Sequence, residues 1–308
     1  MKKHSLSFTA AAEAVPPHAW FAVSALSRYL GPSFAVLLFP AIGVLGIAWL
    51  RIASAALVFG LWVRPWQAFR RAGTTDRWLL VGLGACLATM NTAFYLALDR
   101  LPLSLVAAIE FAGVIGVALY GLRTRRNMIA LALTGAGIVV LVDFRWASDP
   151  LGLFWAFLNA TLFVGYIMLG HRISERGASG GVELLGAAMM VAFLVILPIG
   201  VTDAATAIRD PMLLLAGLGV GVCSSVIPYV CDQLAMSRLP RASFALLLAL
   251  LPATATIIGA LVLAQVPGAG DVVGVLLVML GIAIHRPAAS TAPLRAPNTG
   301  AGSSSRSG

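Results

Sequence analysis

Stretches of about 20 apolar residues follow one another along the chain, separated by short gaps rich in Arg, Asp, Gly and Pro. Within each stretch the apolar character is continuous rather than alternating, which does not fit the strands of a barrel. A run of this length crosses the hydrocarbon core of a bilayer as a helix and satisfies its own backbone groups. Ten such helices are predicted, at 18–39, 42–63, 78–98, 102–122, 127–143, 150–170, 182–201, 211–236, 241–264 and 270–286. The fifth is short for a full crossing. The expected class is therefore an all-α integral membrane protein with ten transmembrane helices.

Composition carries the same message: 60% of the 308 residues are hydrophobic and 11% are charged, where a soluble domain has roughly a quarter charged. The opening stretch "MKKHSLSFTAAAEAVPP" has a basic start but no apolar core before its prolines, so residues 1–17 are expected to be a cytoplasmic segment rather than a cleaved signal. Residues 287–308 are rich in Pro, Ala, Ser, Thr and Gly, which predicts a disordered cytoplasmic tail.

The basic residues are unevenly shared between the gaps. With the N-terminus inside and the helices alternating, sixteen Lys and Arg fall on the cytoplasmic side and three, Arg100, Arg145 and Arg209, on the other. That asymmetry predicts both termini in the cytoplasm. It also accounts for the net charge of +9 without nucleic acid, since no basic cluster alternates with aromatics. The lipid bilayer and a small-molecule substrate are the expected partners. Cys86, Cys223 and Cys231 lack CxxC spacing and read as packing residues, so neither disulfide, metal nor cofactor is expected.

One phrase occurs twice. "YLALDRLP" (Tyr95–Pro102) returns 138 residues later as "QLAMSRLP" (Gln233–Pro240), with five of eight positions identical. The first copy closes the third predicted helix and the second closes the eighth. Five helices is an odd number, so the two copies face opposite sides of the membrane. This predicts two inverted five-helix repeats, at 18–143 and 150–286, with substrate bound between them near the midplane. Equivalent positions have diverged: Glu110 stands against Leu248, and Val114 against Pro252.

Charged groups within the predicted spans are the first functional candidates. Glu110 lies near the middle of the fourth helix, where a carboxylate can bind a substrate ammonium or exchange a proton. Arg28 precedes "GPS" (Gly31–Ser33), where proline frees backbone groups beside a cation. Arg51 lies in the second helix and reads better as a structural ion-pair partner; Asp232, near the cytoplasmic end of the eighth, reads better as a solvated group or structural pair than as an inner gate with Arg238. Asn91, Tyr95, Asn159 and Tyr229 are polar groups inside spans, available to substrate or as interhelical hydrogen-bond partners. Gly217-xxx-Gly221 and Gly270-xxx-Gly274 read as packing within the bundle, a monomer being sufficient and a homodimer the lesser option. The expected cavity lies between helices 1, 3, 4, 6, 8 and 9.

The stretches "LRIASAALVFGLWVRPW" (Leu50–Trp66), "NTAFYLALDRLPLSLVAAIEF" (Asn91–Phe111) and "CSSVIPYVCDQLAMSRLPRASFALLLALLPA" (Cys223–Ala253) resemble the drug/metabolite transporter superfamily. Within it they look most like EamA-domain exporters of the threonine/homoserine type. The resemblance implies a bacterial inner-membrane protein exporting small amino acids, driven by the proton gradient. Three places depart from the family pattern. Gly113-Val114 stands where the family has Gly-Pro, Leu251 where a Glu precedes Pro252, and Ala264-Gln265 where a Gly-Glu pair closes the ninth helix. The alternatives are export of a nucleoside or drug-like amine, and an intramembrane serine protease built on "GASG" (Gly177–Gly180).

Overall fold

The computed structural model describes residues 15–63, 65–121, 124–143, 149–175, 181–236 and 247–285. Arg64, Arg123, Arg145, Ser179, Arg238, Arg241, the start of the ninth predicted helix and the expected tail at 287–308 lie outside them. The described residues fold into helices and turns, with no strand among them. The helices are α1 (Pro17–Ile42), α2 (Val44–Val63), α3 (Pro65–Arg71), α4 (Thr74–Leu98), α5 (Leu103–Gly121) and α6 (Arg125–Asp143). They continue as α7 (Pro150–Glu175), α8 (Gly181–Arg209), α9 (Pro211–Gly221), α10 (Ile227–Met236), α11 (Leu251–Leu263) and α12 (Ala269–Ile284).

These helices do not number ten, for two local reasons. A short basic helix, α3, fills the gap after α2. The eighth apolar run is divided into α9 and α10 by a π-helical turn at Val222–Val226, whose closing bond runs from the Ile227 N–H to the Val222 carbonyl. A third difference is at α8, which continues to Arg209 instead of ending near 201. Its last turn carries Arg209, a cation at the negative end of the helix dipole. The next helix starts at once, because Asp210 accepts the N–H groups of Met212 (2.8 Å) and Leu213 (3.4 Å) with Pro211 at the first helical position.

Among the described residues, six helical stretches are long and apolar enough to cross a membrane: Pro17–Ile42, Val44–Trp62, Thr74–Leu98, Pro150–Leu169, Glu183–Arg209 and Pro211–Asp232. Burial is arranged for an apolar surround. Leu26, Leu57, Phe154, Leu197 and Leu261 are exposed, while Ser33, Asn91, Asn159, Ser224 and Ser225 are buried. Inside lipid, polar groups must turn inward and find partners, and large apolar side chains face outward at no cost. The chain is an integral membrane protein.

The broadest helix contacts join distant parts of the sequence: α6 with α12, α2 with α8, α4 with α7 and with α8, and α1 with α10. The α6–α12 contact is close because a Cβ on Gly274 would sit 2.9 Å from the Gly137 carbonyl oxygen. Small residues let helix backbones approach where no hydrophobic driving force separates lipid from protein. Arg126 fastens the same pair by donating from Nε to the Ile284 carbonyl (2.6 Å) at the end of α12.

Candidate functional site: a charged cavity inside the helix bundle

Two prolines and two glycines shape the centre of the bundle. Pro228 in α10 has no N–H to give the Ser224 carbonyl one turn back, and the chain widens there into the π turn. Gly31 in α1 lets the turn approach; a Cβ there would lie 2.8 Å from the Ser224 backbone nitrogen. Gly221 does the same for α2, since a Cβ would lie 2.9 Å from the Arg51 Cα and carbonyl oxygen. Pro32 interrupts α1 on the side where Arg28 stands.

Around these breaks lies a cavity with about 590 Å³ of space between atoms, its open mouth included. Its wall is formed by Arg28 and Tyr29 of α1, Arg51 of α2, Met90, Asn91 and Phe94 of α4, and Glu110 of α5. Asn159 and Phe163 of α7, Ser224 of the π turn, and Pro228 and Tyr229 of α10 complete it. Five of the six substrate-binding candidates, Glu110, Arg28, Asn91, Tyr229 and Asn159, thus come to one place. The sixth, Tyr95, does not line the cavity. Its side chain is fully buried behind Phe94, edge-on to that ring at 5.6 Å and to Phe39 at 5.9 Å. α2 contributes where the sequence pointed to the ninth helix, whose described part, α11, lines none of the cavity.

The charges are partnered unequally. Arg28 forms an ion pair with Asp232, and Ser24, one turn earlier on α1, donates to the other oxygen of the same carboxylate. Asp232 thus pairs across to α1. Glu110 accepts a hydrogen bond from Asn159 Nδ2 at 2.9 Å. Arg51 donates from Nε to Ser225 Oγ (3.1 Å) and from Nη2 to the Ser224 carbonyl (3.4 Å) that Pro228 leaves without its helical donor. The Arg51 guanidinium also lies over the rings of Phe94 (5.6 Å) and Tyr95 (5.3 Å). Its Nη1 is buried without a hydrogen-bond partner. Among the described residues, neither Glu110 nor Arg51 forms an ion pair.

Asn91 gives its Nδ2 to the Leu87 carbonyl one turn back (2.7 Å), which fixes the amide against its own helix. Residues that sequence reasoning did not single out include Tyr29, Ser224, Ser225, Met90 and Phe163. The serines sit in "CSSVIP", where paired serines before a proline in an apolar run were the available signal. The Ala264-Gln265 pair has a structural role: Ala264 ends α11 in the left-handed region (φ 53°), and Gln265 Oε1 accepts the Leu103 N–H at the start of α5 (3.1 Å).

Comparison with known proteins agrees with this picture. Residues 150–285 match the model of the EamA-like transporter family. The chain is 31% identical over 238 residues to the threonine/homoserine exporter RhtA of Salmonella typhimurium strain LT2, covering 76% of this chain and 79% of that protein. It is 30% identical over 245 residues to the protein of the same name from Escherichia coli K12, with the same coverage. These relatives are transporters, so the protease alternative has no support. The chain belongs to the EamA-like transporter family.

Proposed function

We propose that the protein is a secondary active exporter of small amino acids, of the threonine/homoserine kind, working by alternating access in the bacterial inner membrane. The observation that carries this reading is the pair of charges in the cavity. Glu110 and Arg51 have opposite sign, and each is held by neutral groups alone among the described residues. Arg28 and Asp232 neutralise one another. What the site offers a ligand is therefore one negative and one positive group, the complement of a zwitterion. The exporter relatives supply the direction and the substrate class.

Alternating access in this reading comes from two inverted five-helix halves, 18–143 and 150–286, with both termini cytoplasmic. The helix contacts support it. The third run of each half packs on the first run of the other: α4 on α7, and α10 on α1. The third run also meets the second run opposite, as α4 with α8 and α9 with α2. The fourth run meets the first run opposite, as α5 with α7 and α11 with α1. A two-fold relation between halves generates this pattern and lets them exchange conformations around a central site. Glu110 is the proton-coupling group in this scheme, since one carboxyl can hold either a substrate ammonium or a proton.

The aromatic walls, with Tyr29, Phe94, Phe163 and Tyr229, favour a second reading in which a nucleoside or aryl amine is carried. Counterflow in liposomes separates the two. Labelled threonine and homoserine are expected to exchange, with nucleosides and aryl amines silent; the reverse outcome overturns the amino-acid assignment.

A further inference from the structure

The cavity holds two arginines, and only one of them, Arg28, is already paired with a carboxylate among the described residues. We infer that Arg51 receives the carboxylate of the substrate, and that the π turn of the α9–α10 helix is the device that positions it, while Arg28 is withheld from substrate by Asp232. The inference rests on the zwitterion reading above and assigns the two ends of the ligand within it.

Arg28 already faces a carboxylate, although its Nε, like Arg51 Nη1, is buried without a hydrogen-bond partner. Its Nη2 pairs with the Asp232 carboxylate, and Ser24 holds that carboxylate from the same face of α1. A substrate carboxylate would have to displace an anion that is already in place and hydrogen-bonded. Arg51 carries no such anion. Ser225 Oγ and the Ser224 carbonyl take its Nε and one end of Nη2. The rings of Phe94 and Tyr95 lie against the guanidinium, and Nη1 is buried with no partner. An unpaired cation nitrogen in an apolar setting is costly until an anion fills it. A guanidinium already fixed in plane loses little freedom when a carboxylate arrives.

The positioning comes from the backbone. In an unbroken α-helix the Ser224 carbonyl would be occupied by the N–H four residues on, but that residue is Pro228. The wider turn presents both the freed carbonyl and the Ser225 hydroxyl to α2, and Gly221 brings α2 close enough to use them. Glu110, on the opposite helix pair α5–α7, is left for the ammonium.

The test compares labelled threonine with labelled threoninamide, which keeps the ammonium and lacks the carboxylate, in counterflow by the purified protein in liposomes. The unaltered protein is expected to prefer threonine by tenfold or more. Arg51→Gln is expected to bring the ratio of the two KM values near one, whereas Arg28→Gln leaves the preference in place. Ser225→Ala is expected to raise the KM for threonine several-fold while that for threoninamide changes less than twofold. A general loss of packing would raise both equally. If Arg51→Gln is not recovered folded, the split seen with Ser225→Ala decides. Loss of the preference in Arg28→Gln but not in Arg51→Gln, or an equal rise of both KM values in Ser225→Ala, overturns the inference alone. Failure of the unaltered protein to move any amino acid removes the zwitterion reading, and the inference falls with it.

Discussion

Arg28 on α1 and Asp232 on α10 form an ion pair between residues 204 positions apart in the chain. Ser24 donates to the same carboxylate and, at 3.4 Å, to the Pro228 carbonyl. The three groups bind the first helix to the second half of the chain beside the cavity. Because the pair is mostly shielded from water, removing one partner strands the other. Asp232→Asn is expected to cost on the order of 3 kcal/mol of stability, read as a lower unfolding temperature in detergent. The double variant Arg28→Gln/Asp232→Asn should recover much of that loss. Additive losses from the two single changes would show that the pair is not a unit.

Glu110 is predicted to be needed for its charge rather than its shape. Glu110→Gln keeps an oxygen for Asn159 Nδ2 to donate to, so the local geometry is retained. Losing a charge-assisted contact to an ammonium costs ~2 kcal/mol, on the order of 30-fold in affinity. Threonine counterflow by Glu110→Gln should fall by at least about tenfold, with protein yield and unfolding temperature unchanged. Wild-type rates in that variant would remove Glu110 from the site.

The close approach of α9 to α2 gives a matched pair of glycine substitutions. A Cβ at Gly221 would lie 2.9 Å from the Arg51 backbone, whereas one at Gly219 meets nothing within 4 Å. Gly221→Ala is expected to displace Arg51 and reduce transport by roughly tenfold or more, about 1.4 kcal/mol. Gly219→Ala should stay within about twofold. Similar effects from both would mean that helix propensity, not the contact with Arg51, is at work.

Ala264 adopts φ 53° at the end of α11, a conformation in which a side chain costs ~1 kcal/mol relative to glycine. Ala264→Gly should therefore raise the unfolding temperature. Gln265→Ala should lower it, because Leu103 would lose the acceptor for its N–H at the start of α5. Thermal unfolding of both variants, side by side, checks the two signs.

Much of the membrane architecture was legible because lipid imposes a long, simple pattern: apolar runs became α1, α2, α4 and α5, and charges inside those runs marked Arg28, Arg51 and Glu110. Their gathering into one cavity followed from the rule that charges within a span turn inward. What sequence could not give was the choice of partners. For Asp232 the sequence offers a structural pair without naming the partner; that partner is Arg28, a contact made by packing α1 on α10. For Arg51, nothing in "LRIAS" shows which nitrogens will be occupied. The π turn was also hidden, since its apolar pattern is that of any helix. Pro228 removes one α-helical donor beside it, and Arg51 reaches the Ser224 carbonyl from another helix. Tyr95 shows the opposite limit: a polar residue in a span can face the site or pack behind it, and its ring packs behind Phe94 and under Arg51.

The most direct test of the exporter account is threonine efflux from liposomes containing the purified protein, with the outside made acidic relative to the inside. The account predicts that an inward proton gradient accelerates efflux, that collapsing it with a protonophore removes the acceleration, and that Glu110→Gln abolishes it. Efflux that is indifferent to the gradient in the unaltered protein, or equally stimulated in Glu110→Gln, would contradict it.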